Sequence, residues 1–129
     1  MTEKVRLLYV DDEADIRDVV EMSLEDEPDF ELRLCGSCAA AVDQAKTWRP
    51  DLLLLDVMMP GLDGPATLAQ LRALPGMQSV AAVFVTAKVQ AKEIEQLTAL
   101  GAIGVIPKPF DPMTLADHIR TLWKSRHGG

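Results

Sequence analysis

Three carboxylates, a hydroxyl and an ammonium stand at the ends of short apolar runs. Asp11 and Asp12 follow VRLLYV, in the string YVDDE. Asp56 ends the four leucines of DLLLLDVMMPGLDG, Thr86 ends Val83-Phe84-Val85, and Lys108 follows Val105-Ile106-Pro107 and precedes Pro109. A charge that ends a run apolar enough for a buried strand is lifted out of the core into a cleft. Three carboxylates in one cleft repel one another unless a cation binds or one is protonated. Carboxylate, carbonyl and water oxygens are hard ligands, suited to Mg2+ or Mn2+. A phosphoryl group would also be handled well there. The metal and Lys108 would offset its charge, Thr86 would donate a hydrogen bond, and a carboxylate would be the attacking group. Plainer readings stand beside this one. Asp11 and Asp12 could simply open a helix, where carboxylates favour the dipole. Thr86 could be an ordinary strand-end hydroxyl and Lys108 a solvated lysine.

These groups can meet only if the elements before them lie side by side. Val5 to Val10 reads as a strand. Ala14 to about Glu25 carries Ile16, Val19, Val20 and Leu24 at helical spacing. Phe30 to Cys35 is the second strand candidate, and Cys38 to Trp48 is alanine-rich and helix-prone. Leu52 to Leu55 is the third strand. Gly64-Pro65 opens a helix with Leu68, Leu71 and Leu74 on one face, stopped by Pro75-Gly76. Ala81 to Val85 is the fourth strand. Gln90 to Leu100 is helical, with Ile94 and Leu97 inward and Gly101 as its stop. Ile103 to Ile106 is the fifth strand. Asp111-Pro112 resembles an N-cap and first turn, followed by the stripe Leu115, Ile119, Leu122, Trp123.

Five βα units of this kind imply an α/β fold, a five-stranded parallel sheet doubly wound by helices on both faces. Strands one, three and four are the most continuously apolar and belong at the centre, so the order 2-1-3-4-5 follows. In such sheets sites form at the carboxyl ends of the strands, near the point where the order reverses, here between strands one and three. That point is flanked by Asp11, Asp12 and Asp56.

The remaining composition mainly excludes. The 129 residues suit one domain, with a core of about 5–123 and a short tail at 124–129. No apolar run approaches the roughly 20 residues of a membrane span, and the Met1 to Lys4 start is not a secretory signal, so a cytoplasmic protein is expected. A net charge of -7 disfavours direct binding of nucleic acid through a basic surface. Cys35 and Cys38 form a CxxC without a second cluster to complete a zinc site. They read as small half-buried residues at a strand end and a helix start, with a regulatory thiol pair as the alternative. His118 and His127 read as solvated.

Taken together, YVDDE, PDLLLLDVMMPGLDG, VFVTA and IPKPF make the chain resemble the response-regulator receiver domains, the CheY-like family of two-component signalling, from about Val5 to Trp123. The family shares the flavodoxin-like order 2-1-3-4-5, so that order is not an independent inference. The resemblance implies that Asp56 is the phosphoacceptor. Asp12 would ligate Mg2+ directly, Asp11 would act through water or by positioning the ion, and the carbonyl of Met58 would add a ligand. Thr86 would move toward the phosphoryl group, Lys108 would pair with one of its oxygens, and the Lys108–Pro109 peptide would be cis. Met58 and Lys88 flank the site at positions that tune phosphoryl lifetime in the family. The donor would be a histidine kinase or phosphotransfer protein, or a small donor such as acetyl phosphate. The chemistry would be stoichiometric rather than enzymatic, the partner a downstream protein target, and the state a monomer or weak dimer.

One position departs from the family. Three residues before the lysine a Tyr or Phe is common, and here Val105 stands. A ring swing cannot operate, which leaves the Thr86 loop and the following helix as the switch. The expected target surface is helix four, strand five and helix five, including Lys92 and Arg120. A haloacid-dehalogenase-type phosphatase would need a second Asp two residues after Asp56, where Met58 stands. A flavodoxin-like cofactor site would be repelled by Asp11-Asp12-Glu13. The remaining alternative is a receiver fold used as a phosphorylation-independent scaffold. Whether the chain stands alone or is part of a longer regulator is left open.

Overall fold

A computed structural model describes residues 4–128, and the side chains up to Arg126. The Met1 to Glu3 start, Gly129 and the reading of His127 as solvated lie outside the described residues. The elements alternate: β1 (Val5–Val10), α1 (Ala14–Leu24), β2 (Phe30–Cys35), α2 (Cys38–Thr47), β3 (Leu52–Asp56), α3 (Gly64–Arg72), β4 (Ala81–Thr86), α4 (Ala91–Ala99), β5 (Gly104–Pro107) and α5 (Leu115–Gly128). All neighbouring strands are parallel, in the order β2-β1-β3-β4-β5. The three strands richest in buried apolar residues are the central ones.

Alternating side chains feed two apolar layers. Leu8, Val10, Leu53, Leu55, Ala82 and Phe84 face α2, α3 and α4, with Trp48 and Met77. Leu7, Tyr9, Leu52, Leu54, Val83 and Val85 face α1 and α5. Both faces of β3 are therefore covered, which is why its leucines run without a polar break. Register aligns Val10 with Leu55, and Asp56 with Val85. That alignment brings the residues that end β1, β3 and β4 to one rim.

Local chemistry starts the helices beside this rim. Ser37 Oγ accepts from Ala40 N at 3.1 Å to cap α2, and Asp63 Oδ1 accepts from Ala66 N at 2.9 Å to cap α3, with Pro65 in its first turn. Gly64 is needed for space. A Cβ there would lie 2.6 Å from the carbonyl oxygen of Asp56, so only glycine lets α3 start this close to the end of β3.

Several sequence expectations shift. The stripe on α4 is narrower than its spacing suggested: Leu97 is buried, but Ile94 is 36% exposed. The regular part of α5 begins at Leu115, although Asp111 Oδ1 does accept from Met113 N at 2.9 Å. Asp111 thus closes a turn that precedes the helix. The helix then continues past Trp123 to Gly128. Arg120 is not a free surface residue. Its guanidinium donates to both oxygens of Asp29 at 2.8 Å, to Asp117 at 2.7 Å and to Glu27, and lies over the Phe30 ring. It ties α5, part of the expected target surface, to the turn before β2. Cys35 and Cys38 are both free thiols and buried.

The α4 correction is measurable. Leu97→Ala should destabilise the fold by about 2–3 kcal/mol, whereas Ile94→Ala should cost less than about 1 kcal/mol. Urea denaturation of the two variants checks the difference.

Candidate acidic site at the strand ends

The rim gathers Asp11 from the end of β1, Asp12 beside it, Asp56 from β3, Thr86 from β4 and Lys108 from just beyond β5. One carboxylate oxygen from each of Asp11, Asp12 and Asp56 lies within 4.8 Å of the others. Asp11 and Asp56 are buried, and Asp12 is exposed.

The two buried carboxylates differ in their partners. Asp11 is fully engaged. Its Oδ2 accepts from the Tyr9 hydroxyl and from Lys108 Nζ, both at 2.9 Å, and its Oδ1 accepts from Glu13 N at 3.0 Å. Asp56 is not. Its Oδ1 lies 3.4 Å from Lys108 Nζ and accepts a long bond from Met58 N, also at 3.4 Å. Its Oδ2 is buried with no hydrogen-bond partner. An unsatisfied buried carboxylate oxygen is costly and uncommon in a native fold.

Charge follows from this geometry. Burial, then the neighbouring Asp11 carboxylate, pushes the Asp56 carboxyl up to about 6, against the pull of Lys108. Burial pulls the Lys108 ammonium down, but its hydrogen bond to Asp11 and the charges of Asp11 and Asp56 outweigh this and raise it. One lysine pairs with two of the three carboxylates. Oxygen-only donors, one exposed carboxylate and one unpartnered oxygen make a set that fits a hard divalent cation.

Backbone ties hold the other two groups. Lys108 N donates to Thr86 O at 2.9 Å, which locks the loop after β5 to the end of β4. Thr86 is buried, and its Oγ1 accepts from Lys88 N at 3.0 Å, leaving the hydroxyl proton free to donate. The Lys108–Pro109 peptide is cis. Met58 is 61% exposed at the mouth of the site. Val105 is half-buried against the α3/α4 layer, and its register partner Phe84 is fully buried.

Two residues that sequence reasoning missed support Asp11. Tyr9 lies two positions before it on the strand, hence on the same face, and its phenol is pushed up by burial and by Asp11. The alternation of the strand was the available signal. Arg17 Nη1 donates to the Asp11 carbonyl at 2.7 Å, and its guanidinium lies against Gly36 at the start of the β2–α2 turn. No spacing rule in the sequence points to Arg17.

Known proteins share both sequence and shape with this chain. The family described as "Response regulator receiver domain" matches residues 7–120. The chain is 37% identical to the response regulator Rre1 of Synechocystis over 122 residues, covering 95% of the chain and 53% of that protein. It is 34% identical to the DNA-binding response regulator MtrA of Mycobacterium bovis, covering 92% of the chain and 50% of that protein. It therefore spans about half the length of these curated relatives. Among solved structures it is similar to the chemotaxis protein CheY4 of Vibrio cholerae, with a TM-score of 0.84 and 26% identity over 92% of this chain and 98% of that one.

The electrostatics predict an inverted pH effect. An ordinary paired carboxylate stabilises the fold above its own pKa. Asp56 is raised instead, so its ionised form costs stability above about pH 6, and that cost fades as pH falls toward 3.8, its ordinary value. With chelator present, Asp56→Asn should be more stable than the wild type at neutral pH by about 1–2 kcal/mol, allowing for screening by solvent and Lys108. The gap should close in mild acid. Urea titrations of both proteins across that range test it.

Proposed function

The chain belongs to the response regulator receiver domain family, and on that premise we propose that it is a signalling switch that accepts a phosphoryl group on Asp56. The observation that carries this reading is the unequal state of the two buried carboxylates. Asp11 has every oxygen engaged, whereas Asp56 keeps one buried oxygen without a hydrogen-bond partner.

The residues divide the work. Asp56 is the nucleophile. One of its oxygens forms a bond to phosphorus as the bond from phosphorus to the donor breaks, and the donor's imidazole leaves with that electron pair. A histidine kinase or phosphotransfer protein supplies the phosphohistidine, and acetyl phosphate substitutes as a small donor. Lys108, now held between Asp11 and Asp56, turns its ammonium to a phosphoryl oxygen. Thr86 donates its free hydroxyl proton to another. Asp11, Asp12, Asp56 and the Met58 carbonyl would hold Mg2+ or Mn2+, which offsets the charge of the incoming group. Tyr9 and Arg17 position Asp11. Exposed Met58 lies over the approach for water. The reaction is stoichiometric in the chain.

An apolar hollow of about 410 Å3 borders Lys108, between Ile16 and Val19 of α1 and Pro109, Phe110 and Pro112 after β5. It supplies a surface for the donor protein. Output runs by a different face. Movement of Thr86 toward the phosphoryl group releases its bond from Lys88 N and so shifts the loop that leads into α4. Val89, Ile94 and Leu100 are exposed along that loop and helix, with Lys92 among them, and this is the surface for a downstream protein target. Val105 stays packed, since it has no ring to swing.

Among the described residues, no helix is long and apolar enough to cross a membrane.

Intact mass after incubation with acetyl phosphate and Mg2+ tests the assignment. One labile phosphoryl group should appear, absent from Asp56→Asn and from a sample with chelator. Lys108→Ala should slow its appearance by about 10²-fold. A wild-type chain that neither acquires the group nor binds Mg2+ would instead be a phosphorylation-independent scaffold.

A further inference from the structure

The chain carries a net charge of -7, yet the face around Trp48, at the other end of the sheet from the carboxylates, is basic. Lys4 and Arg6 stand at the start of β1, Arg33 on the edge strand β2, Lys46 in the last turn of α2, and Arg49 in the turn before β3. Two adjoining hollows open there. One, of about 430 Å3, is bordered by Lys4, Arg6 and Arg49, and the other, of about 560 Å3, by Arg6, Lys46 and Arg49. Arg6 and Arg49 thus form the wall between them.

These cations are positioned, and they outnumber the carboxylates beside them. The Arg6 and Arg33 guanidiniums lie 5.7 and 4.9 Å from the centre of the buried Trp48 ring. The guanidinium of Arg49 lies so close to Gly76 that a Cβ there would come within 2.6 Å of it. Among the described residues, none of the five cations is in an ion pair, whereas Lys108 and Arg120 each have at least two. The two carboxylates that border the first hollow offset part of this charge and leave the cations in excess. Asp51 Oδ2 accepts from Arg6 N at 2.9 Å, and Glu31 Oε1 accepts from the Trp48 indole N–H at 3.1 Å.

Holding like charges together is unfavourable unless an anion joins them. Planar guanidinium forks match phosphate oxygens two at a time. We propose that this face binds an organic polyphosphate, an anion of nucleotide size whose phosphoryl groups span the wall made by Arg6 and Arg49, with Lys4 and Lys46 at either side. A concave, two-lobed cluster suits a compact polyanion. A long nucleic-acid strand would continue past it onto an acidic body, where its phosphates are repelled.

The Trp48 indole N–H resonance is a direct probe, with that of Trp123 as the internal control. At low ionic strength, inorganic tripolyphosphate and ATP should each shift the Trp48 signal saturably, and added salt should weaken the effect. Affinity should fall about tenfold or more in Arg6→Gln. It should fall as far in a Lys46→Gln/Arg49→Gln double variant, which leaves the Arg6–Trp48 contact intact and guards against misfolding of the first. Labelling of Asp56 by acetyl phosphate should be unchanged in all variants, so this site and the phosphoacceptor are tested separately. No saturable shift at millimolar tripolyphosphate, or a shift equal in wild type and variants, overturns the proposal. So does a single-stranded oligonucleotide that displaces tripolyphosphate and binds more tightly as it lengthens.

Discussion

A single ammonium group, Lys108 Nζ, stands 2.9 Å from Asp11 and 3.4 Å from Asp56, and the rim of the sheet is organised by that contact. Two buried carboxylates so close would not both ionise without it. It also joins the ends of the first and third strands to the fifth, while its own backbone N–H is tied to Thr86 on the fourth. Lys108 divides its attention unequally. Asp11 takes the short bond and is satisfied, and Asp56 takes the long one and keeps an oxygen without a partner. The asymmetry is chemical as well as geometric, for the group left under-satisfied is the one whose ionised form is disfavoured.

The parallel topology makes this contact possible and dictates its surroundings. Every strand ends at the same rim, so residues just past different strands can meet there. Continuous burial of β3 on both faces leaves its last residue as the first place where a charge is tolerated. The same polarity sends the strand beginnings to the other end, where Lys4, Arg6 and Arg49 collect with no ion pair among the described residues. An acidic chain thereby acquires two faces of opposite sign, a feature that net charge conceals.

Conformational change at the rim has few routes. Phe84 sits beside Val105 on the neighbouring strand and is fully buried, so the aromatic volume there belongs to β4 and not β5. The Thr86 hydroxyl accepts from Lys88 N, the bond that the proposed switch would release. Motion there leads directly into α4, the helix whose apolar stripe is narrowest. A weakly buried helix is the one that shifts at least cost.

Much of this was legible in the sequence because it depends on local order. Alternating apolar runs and helical stripes, with Pro and Gly at the breaks, define five βα units and their approximate bounds. Four carry a polar residue where the strand ends, and a parallel sheet leaves those residues nowhere else to meet. What the sequence could not supply was distance and partnership. Arg120 reads as a surface residue by its spacing, yet it clamps Glu27 and Asp29, which lie far away along the chain. Ile94 fits a helical stripe, but only packing decides how wide the buried stripe is. Arg17 and Tyr9 serve Asp11 through contacts that no motif encodes. Above all, the choice between Asp11 and Asp56 as the satisfied carboxylate rests on a lysine some fifty residues beyond the nearer of them. Residue types and order therefore determined which groups share the rim, and only the folded arrangement decided which oxygen is left without a partner, because hydrogen bonding is a matter of ångströms and strand order is not.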